Sequence, residues 1–225
     1  MTVDLSGYKT IVFDCDGVVL NSNKVKVQAY YAVAKRHGGS DLQAQAFVNY
    51  HQSKGSFPRN GKIEYYLKNI VNQPVTDNLI QQYIKTFEEI LDITLMQCDI
   101  AQGLLSLKTA TPNAQWMLLS GGDQAELRRV FPRREIGDKH LAQLFEAGIF
   151  GGPDIKDAVL AREIANKNIT LPALFIGDSK YDYQAASQAG LAFLFVSDWT
   201  EVTDWQTFCA DNHITHLPNI ASLLA

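Results

Sequence analysis

Four short stretches of the chain are apolar at nearly every position: residues 9–14 (KTIVFD), 116–120 (WMLLS), 173–178 (ALFIGD) and 191–197 (LAFLFVS). Unbroken apolar runs of this length are typical of strands that are covered on both faces, as in a parallel sheet between helices. Segments of helical pattern lie between the later runs, at 124–130, 155–166 and 183–189. The alternation predicts an α/β protein with a Rossmann-like, doubly wound parallel sheet.

The interval from residue 23 to residue 98 has a different periodicity. Its segments at 24–36, 42–53, 61–71 and 76–95 carry apolar residues at helical spacing, and Gly or Pro residues separate them. We therefore expect an inserted all-helical domain formed by residues 21–98. Residues 1–20 and 99–225 would together form the α/β core domain.

Composition limits which binding partners and which cellular compartment we expect for this protein. The net charge of −4 argues against a nucleic-acid or membrane surface, and no apolar run reaches the length of a membrane span. Cys15, Cys98 and Cys209 show neither a disulfide framework nor zinc-ligand spacing. We expect a cytoplasmic protein with no nucleic-acid or membrane partner, and the oligomeric state stays open.

Polar side chains follow three of the predicted strands at the point where each strand ends. Asp14 and Asp16 follow the first, Ser120 ends the second, and Asp178 follows the third with Asp182 four residues later. Because the carboxyl ends of parallel strands meet at one edge of a sheet, we expect these side chains to share a crevice.

A lysine is expected to join this group. Lys156 follows a predicted glycine turn at residues 150–153 and opens a helix, while Lys139 in the same interval is the alternative. Carboxylate oxygens suit Mg²⁺, and the lysine and hydroxyl suit an anion that the carboxylates would otherwise repel. A phosphoryl group that bridges to the metal satisfies both requirements.

These elements, in this order and spacing, resemble the haloacid dehalogenase superfamily and specifically its Mg²⁺-dependent phosphatases. Residues 14–17 (DCDG) match its Asp-x-Asp-Gly motif, Ser120 its second motif, Lys156 its third and residues 177–182 (GDSKYD) its fourth. The helical insertion resembles the cap domain of the phosphoglycolate phosphatase and β-phosphoglucomutase types. The resemblance extends over nearly the whole chain.

The resemblance implies a role for each matched residue. Asp14 would be the nucleophile that forms an aspartyl-phosphate, and Asp16 would be the general acid and base. Ser120 and the Gly121 N–H would hold phosphoryl oxygens, and Lys156 would neutralise charge between nucleophile and phosphate.

The same resemblance implies the metal ligands. Mg²⁺ would be bound by the side chains of Asp14 and Asp178 and the carbonyl of Asp16. Asp182 would support this set, either as a direct ligand or from behind the ligands.

The implied function is hydrolysis of a small phosphorylated metabolite, a sugar phosphate or an organic-acid phosphate. A hydrolytic dehalogenase needs no acid at Asp16, so dehalogenation is disfavoured. The alternatives are a sugar-phosphate mutase of the β-phosphoglucomutase type and a catalytically silent module that binds phosphorylated ligands. The mutases place a histidine early in the cap, where this chain has Lys26.

Substrate specificity is expected in the helical domain. Residues 51–62 (HQSKGSFPRNGK) read as a loop that joins basic and aromatic side chains to glycines. Arg59, with Lys54 in the same stretch, is the candidate for a contact to a carboxylate, second phosphate or sugar hydroxyl. Cys15, between the two aspartates, is expected to pack in the core. The five histidines are interpreted as surface or packing residues.

Overall fold

The computed structural model describes residues 3–54 and 59–224. The chain divides into two compact units, one formed by Met1–Asn23 with Asp99–Ala225 and one formed by Lys24–Cys98. Within the described residues, none of the helices has the length and apolar character that a membrane span requires.

The first unit is built on a six-stranded sheet in the order β5-β2-β1-β6-β7-β8. The strands are β1 (Thr10–Phe13), β2 (Gln115–Asp123), β5 (Ile149–Gly152), β6 (Ala173–Gly177), β7 (Ala192–Val196) and β8 (Thr215–Leu217). Every neighbouring pair in this sheet is parallel. A separate two-stranded hairpin is formed by β3 (Glu135–Ile136) and β4 (Lys139–His140).

Alternate residues of the strands pack on opposite faces of the sheet. Val12, Met117 and Phe175 join a buried cluster with residues of two helices, whereas Phe13 and Trp116 pack against each other and against Phe145. The helices of this unit are α5 (Leu104–Ala110), α6 (Gln124–Val130), α7 (Lys156–Ala165), α8 (Lys180–Gln188) and α9 (Trp205–Asp211). The predicted doubly wound sheet is confirmed.

Two strands of the sheet were not expected from the pattern. Residues 150–152, predicted as a glycine turn, belong to β5, which pairs with β2. Gly151 allows this pairing because a Cβ there would lie 2.4 Å from the carbonyl oxygen of Gly122. The edge strand β8 is only three residues long and partly exposed, so it carries no apolar run.

The second unit is all-helical over its described residues. It contains α1 (Asn23–Arg36, which begins at the boundary), α2 (Asp41–Lys54), α3 (Arg59–Tyr65), a π-helical turn (Tyr66–Ile70) and α4 (Asp77–Gln97). Its core is aromatic, since the ring of Tyr30 packs edge-on against Phe47 and Phe87.

The predicted loop at 51–62 is shorter than expected. Residues 51–54 end α2 and residues 59–62 begin α3, so both flanks are helical. Residues 55–58 of the predicted loop lie outside the described residues.

Candidate active site

The carboxyl ends of β1 and β6 place two aspartates side by side. Phe13 is in register with Ile176, and the backbone N–H of Asp14 donates to the carbonyl of Ile176. Asp14 is therefore level with Gly177, the last residue of β6, and Asp178 follows one residue later at the same edge of the sheet. Each residue is only 5% exposed. Parallel pairing of β1 with β6 therefore brings two aspartates together that are more than 160 residues apart in the sequence.

Lys156 lies between the carboxylates of Asp14 and Asp182. Its Nζ is 2.5 Å from Asp14 Oδ1 and also pairs with Asp182 Oδ1. All three side chains are buried. Lys139, by contrast, is exposed on β4 of the small hairpin. The structure thus brings Lys156 and not Lys139 to the carboxylates.

The local electrostatics reflect the burial of several charges together. Burial raises the pKa of Asp14 to about 7, although the Lys156 ammonium opposes that rise. Burial and the nearby Asp14 carboxylate raise the pKa of Asp178 well above its ordinary value. Burial alone would lower the pKa of Lys156, but the carboxylates of Asp14 and Asp182 outweigh it and raise that pKa. The site carries more negative charge than its lysine balances, so a cation would stabilise it.

Asp182 has both of its carboxylate oxygens occupied by protein donors. Oδ1 pairs with Lys156, while Oδ2 accepts from the Ser179 hydroxyl at 2.7 Å, from the Ser179 N–H and from the Asp178 N–H. Together Ser179 and Asp182 form the capping box that starts α8. Gly177 permits this close packing, because a Cβ there would lie 2.5 Å from the Cβ of Asp182.

Asp178 is oriented by residues outside its own motif. The Asn23 amide donates to Asp178 Oδ2 at 3.0 Å and to the carbonyl of Trp199 at 3.1 Å. Gly17 adopts φ +82°, and a Cβ on it would lie 2.0 Å from Asp178 Oδ2. Glycine is therefore required at residue 17 both by its backbone conformation and by the space that Asp178 fills.

Asp16 and Ser120 are held close to each other. The Ser22 hydroxyl lies 2.5 Å from Asp16 Oδ1, and the Ser120 hydroxyl lies 3.3 Å from Asp16 Oδ2. Ser120 Oγ also accepts from the Gly122 N–H at 2.9 Å. Gly121, the predicted phosphate contact, is exposed next to Ser120. Cys15, as expected, is completely buried.

One group of residues fits a metal ion. Among the described residues, Asp14, Asp178 and Asp182 each offer an oxygen, and these oxygens all lie within 4.8 Å of one another. An all-oxygen, carboxylate-rich donor set suits Mg²⁺ better than softer metals. Asp16 is not in this group, so its proposed contribution to the metal remains its backbone carbonyl.

The helical unit has its own cluster of basic side chains. Arg59 places its guanidinium 5.3 Å from the centroid of the Phe87 ring. Lys54 is exposed and lies over the ring of Tyr50. Lys62, which the sequence did not single out, is only 2% exposed and its Nζ lies 2.9 Å from His51 Nδ1.

The positive charges of these basic side chains shift the pKa values of their neighbours. Burial lowers the pKa of His51 to about 3, helped by Lys62, Lys26 and Arg59. Burial and Arg59 together lower the pKa of Lys62 to about 8. We name Lys26, His51, Arg59 and Lys62 the basic cluster. An oxyanion would be attracted to such a cluster.

Sequence reasoning missed three supporting residues. Ser22 and Asn23 fall in the polar end of the stretch FDCDGVVLNSN, directly after the motif, and this polarity was the only available signal. Thr200, whose hydroxyl donates to the backbone carbonyl of Asp178 at 2.5 Å, lies beyond the last predicted strand and carries no motif.

Comparisons with known proteins agree with this geometry. A family model described as haloacid dehalogenase-like hydrolase matches residues 8–190. No curated protein matches the sequence. A protein of Haemophilus somnus described as a predicted phosphoglycolate phosphatase has a similar structure, with a TM-score of 0.72 at 16% identity over 98% of each chain.

Two further solved structures have the same fold. CbbY of Rhodobacter sphaeroides, solved with xylulose-1,5-bisphosphate, gives a TM-score of 0.71 at 14% identity over 96% of each chain. A β-phosphoglucomutase candidate of Thermotoga maritima gives 0.68 at 15% identity, again over 96% of each chain. At these identities the likeness establishes the fold.

Proposed function

Since the chain belongs to the haloacid dehalogenase-like hydrolases, we propose that it hydrolyses a phosphomonoester of a small metabolite through an aspartyl-phosphate on Asp14. The observation that carries the proposal is the buried contact of Lys156 with Asp14 and Asp182, beside Asp178. A carboxylate that is buried and charge-paired can approach a phosphoryl group that it would otherwise repel.

The first step would be attack of an Asp14 oxygen on phosphorus. Lys156 holds Asp14 Oδ1 at 2.5 Å, which leaves Oδ2 to act as the nucleophile. The same ammonium offsets charge on the phosphoryl oxygens as they come near. The Ser120 hydroxyl and the Gly121 N–H would donate hydrogen bonds to the remaining phosphoryl oxygens.

Asp16 would handle the proton in both steps. It would protonate the leaving alcohol oxygen while the P–O bond breaks, and then take a proton from the water that attacks the aspartyl-phosphate. The Ser22 hydroxyl, 2.5 Å from Asp16 Oδ1, fixes one oxygen of this carboxylate. The other oxygen, Oδ2, has the longer contact, 3.3 Å to the Ser120 hydroxyl, and would be the one that exchanges the proton.

The residues present fit Mg²⁺. Asp14, Asp178 and the Asp16 carbonyl would hold it, and Asp182 would support them from behind, because both Asp182 oxygens already accept protein hydrogen bonds. When bound, the cation would offset negative charge on the carboxylates and on the phosphoryl group. Asn23 and Gly17 keep Asp178 in place for this role.

The helical unit would select the substrate, and Arg59 and Lys54 remain the proposed contacts. The basic cluster supports Arg59 more than Lys54, because Arg59 is half-buried and acts electrostatically on the buried Lys62, whereas Lys54 is exposed. It also adds Lys62 as a candidate. A substrate with a carboxylate or second phosphate besides its ester phosphate fits this cluster. The structurally similar CbbY was solved with such a compound, xylulose-1,5-bisphosphate. Cys15, Cys98 and Cys209 are buried and form no disulfide, which supports the proposed cytoplasmic location.

The experiment is a panel of phosphorylated metabolites assayed for phosphate release with Mg²⁺ and with EDTA. We expect Mg²⁺-dependent release from sugar phosphates or organic-acid phosphates, and none from Asp14→Asn. Unchanged turnover in Asp14→Asn would contradict the mechanism. In Arg59→Ala and Lys62→Met, KM for the best substrate should rise, while the matched control Lys68→Met, on the exposed side of the π-helical turn, should leave it unchanged.

Two other functions give different results in the same panel. A sugar-phosphate mutase would interconvert hexose phosphates faster than it releases phosphate. A silent binding module would bind phosphorylated ligands without Mg²⁺-dependent release. Lys26, at the place of the mutase histidine, contributes instead to the positive charge around His51, and so does not favour the mutase.

A further inference from the structure

The start of α7 has no cap of its own. Its N-cap residue is Ile155, which has no side-chain acceptor and is 61% exposed. The first helical residue is Lys156, whose backbone N–H has no partner within the helix at this position. This is the same residue whose ammonium must lie accurately between two carboxylates.

A side chain from the next helix fills the missing cap. The Lys156 N–H donates to Tyr181 Oη at 3.2 Å, and Tyr181 Oη donates to Asp157 Oδ2 at 2.9 Å. Tyr181 is half-buried, and burial together with Asp157 raises its pKa, so the hydroxyl stays protonated and able to donate. The hydroxyl is therefore satisfied in both directions by the first two residues of α7.

Two contacts then join the beginnings of α7 and α8. Asp182 binds the Lys156 ammonium, and the neighbouring Tyr181 binds the Lys156 backbone. The contact with Tyr181 fixes the Lys156 backbone, from which the side chain starts. The contact with Asp182 fixes the ammonium at the other end of that side chain. Because α7 and α8 also share a buried apolar cluster, including Val159 and Ala185, their packing does not depend on the hydroxyl.

We propose that Tyr181 is a positioning residue, whose hydroxyl caps α7 and so fixes the place of the Lys156 ammonium against Asp14. Its effect on turnover rests on the proposed phosphatase function. Its effect on the ammonium does not, since that depends only on contacts within the protein.

The test uses the full chain and the variant Tyr181→Phe, which keeps the ring and removes the hydroxyl. The matched control is Tyr183→Phe on the same helix, where the ring packs against Phe193 and Phe208. Two signals are measured by NMR without substrate: hydrogen exchange of the Lys156 backbone amide, and the ¹H–¹⁵N resonance of the Lys156 ammonium. An ammonium held by two buried carboxylates exchanges its protons slowly and is visible.

In Tyr181→Phe we expect amide exchange at Lys156 to accelerate about tenfold, the size expected from losing one hydrogen bond. The ammonium resonance should shift or broaden. Turnover should fall about three- to tenfold with KM within about twofold, because Lys156 acts on the reacting groups. Asp157→Asn keeps an acceptor oxygen for Tyr181 and should behave nearly as wild type. Asp157→Ala leaves the hydroxyl that caps α7 but removes its acceptor, so its effects should be smaller than those of Tyr181→Phe.

Unchanged amide exchange and an unchanged ammonium resonance in Tyr181→Phe would overturn the proposal. A faster amide exchange with an unchanged ammonium resonance would overturn it too, because the cap would then be structural only. If wild-type protein releases no phosphate from any substrate, the proposed function fails, and the two NMR signals alone decide whether Tyr181 positions the lysine.

Discussion

Replacing Lys156 by methionine tests whether the lysine charge stabilises the buried carboxylates of the site. Methionine matches the length of the lysine chain but brings no charge, so Asp14 and Asp182 lose their shared cation. Breaking a buried ion pair by removing one partner costs about 3–5 kcal/mol, because the remaining charge stays buried without compensation. We expect the free energy of unfolding to fall by about that amount at pH 8 in EDTA.

The loss should depend on pH with a definite sign. Burial raises the pKa of Asp14 to about 7, against 3.8 for an ordinary aspartate, so the folded protein takes up a proton before the unfolded chain does. Lys156 lowers this pKa, so in Lys156→Met the Asp14 carboxyl is protonated at a higher pH than in wild type, and once neutral it needs no cation. The deficit of Lys156→Met should therefore shrink to roughly half between pH 8 and pH 5.5.

The assay is urea unfolding followed by circular dichroism, run on wild type, Lys156→Met and Lys139→Met at both pH values. Lys139 is the matched control because it is exposed on the small hairpin. Lys139→Met should stay within about 0.5 kcal/mol of wild type. If Lys156→Met is as stable as Lys139→Met at pH 8, or if its deficit does not change with pH, Lys156 does not stabilise the site by its charge.

Three further predictions concern the supporting residues. Gly17→Ala places a Cβ 2.0 Å from Asp178 Oδ2, so Mg²⁺ affinity measured by calorimetry should fall about tenfold or more, whereas Gly7→Ala, with open space around its Cβ, should leave it unchanged. Asn23→Ala removes the amide that orients Asp178 and should weaken Mg²⁺ binding about 10- to 100-fold; an unaltered dissociation constant would count against that orienting role. The pKa of Lys62 is about 8 in the folded protein, against an ordinary value of 10.5. Between these pH values the unfolded chain still holds a proton that the folded protein has released. The free energy of unfolding therefore rises with pH over this range, by at most about 3 kcal/mol. Lys62→Met should lack this rise in unfolding experiments from pH 7.5 to 10.5, and the same rise in the variant would exclude Lys62 as its cause.

The central strands were predictable because each is buried on both faces. β1, β2, β6 and β7 therefore carry continuous apolar runs that mark them in the sequence. β5 was not predicted because its glycines are typical of a turn. Gly151 is nevertheless needed within the strand, where the backbone of β2 approaches closely. β8 escaped because an edge strand of three residues has no apolar pattern to reveal it.

The motif residues were predictable because strand ends in a parallel sheet share one edge. Asp14, Ser120 and Asp178 each directly follow or end an apolar run. In the structure Asp14 and Asp178 lie together, and Ser120 lies beside Asp16. Lys156 was preferred over Lys139 because it opens a predicted helix, and its contacts with Asp14 and Asp182 agree with that choice. Tyr181 and Asn23 required the structure, because their contacts join segments whose adjacency depends on tertiary packing.

The basic cluster shows the same limit in the helical unit. Arg59 was identified because it stands in a stretch that reads as a loop, yet it begins a helix. Lys62 and His51 meet only because α2 and α3 place them 2.9 Å apart, and no local pattern encodes that contact. Lys62 is buried by tertiary packing, which no sequence pattern reveals. Its burial is the observation that adds Lys62 to the candidate substrate contacts.

The proposed mechanism requires that Asp14 becomes covalently phosphorylated during turnover. The most direct measurement is mass spectrometry of protein that is quenched in acid during turnover of its best phosphometabolite with Mg²⁺. We predict a phosphoryl group on the peptide that contains Asp14, absent in Asp14→Asn and without Mg²⁺. Turnover with no phosphoryl group on Asp14, or with the group on another residue, would contradict nucleophilic attack by Asp14.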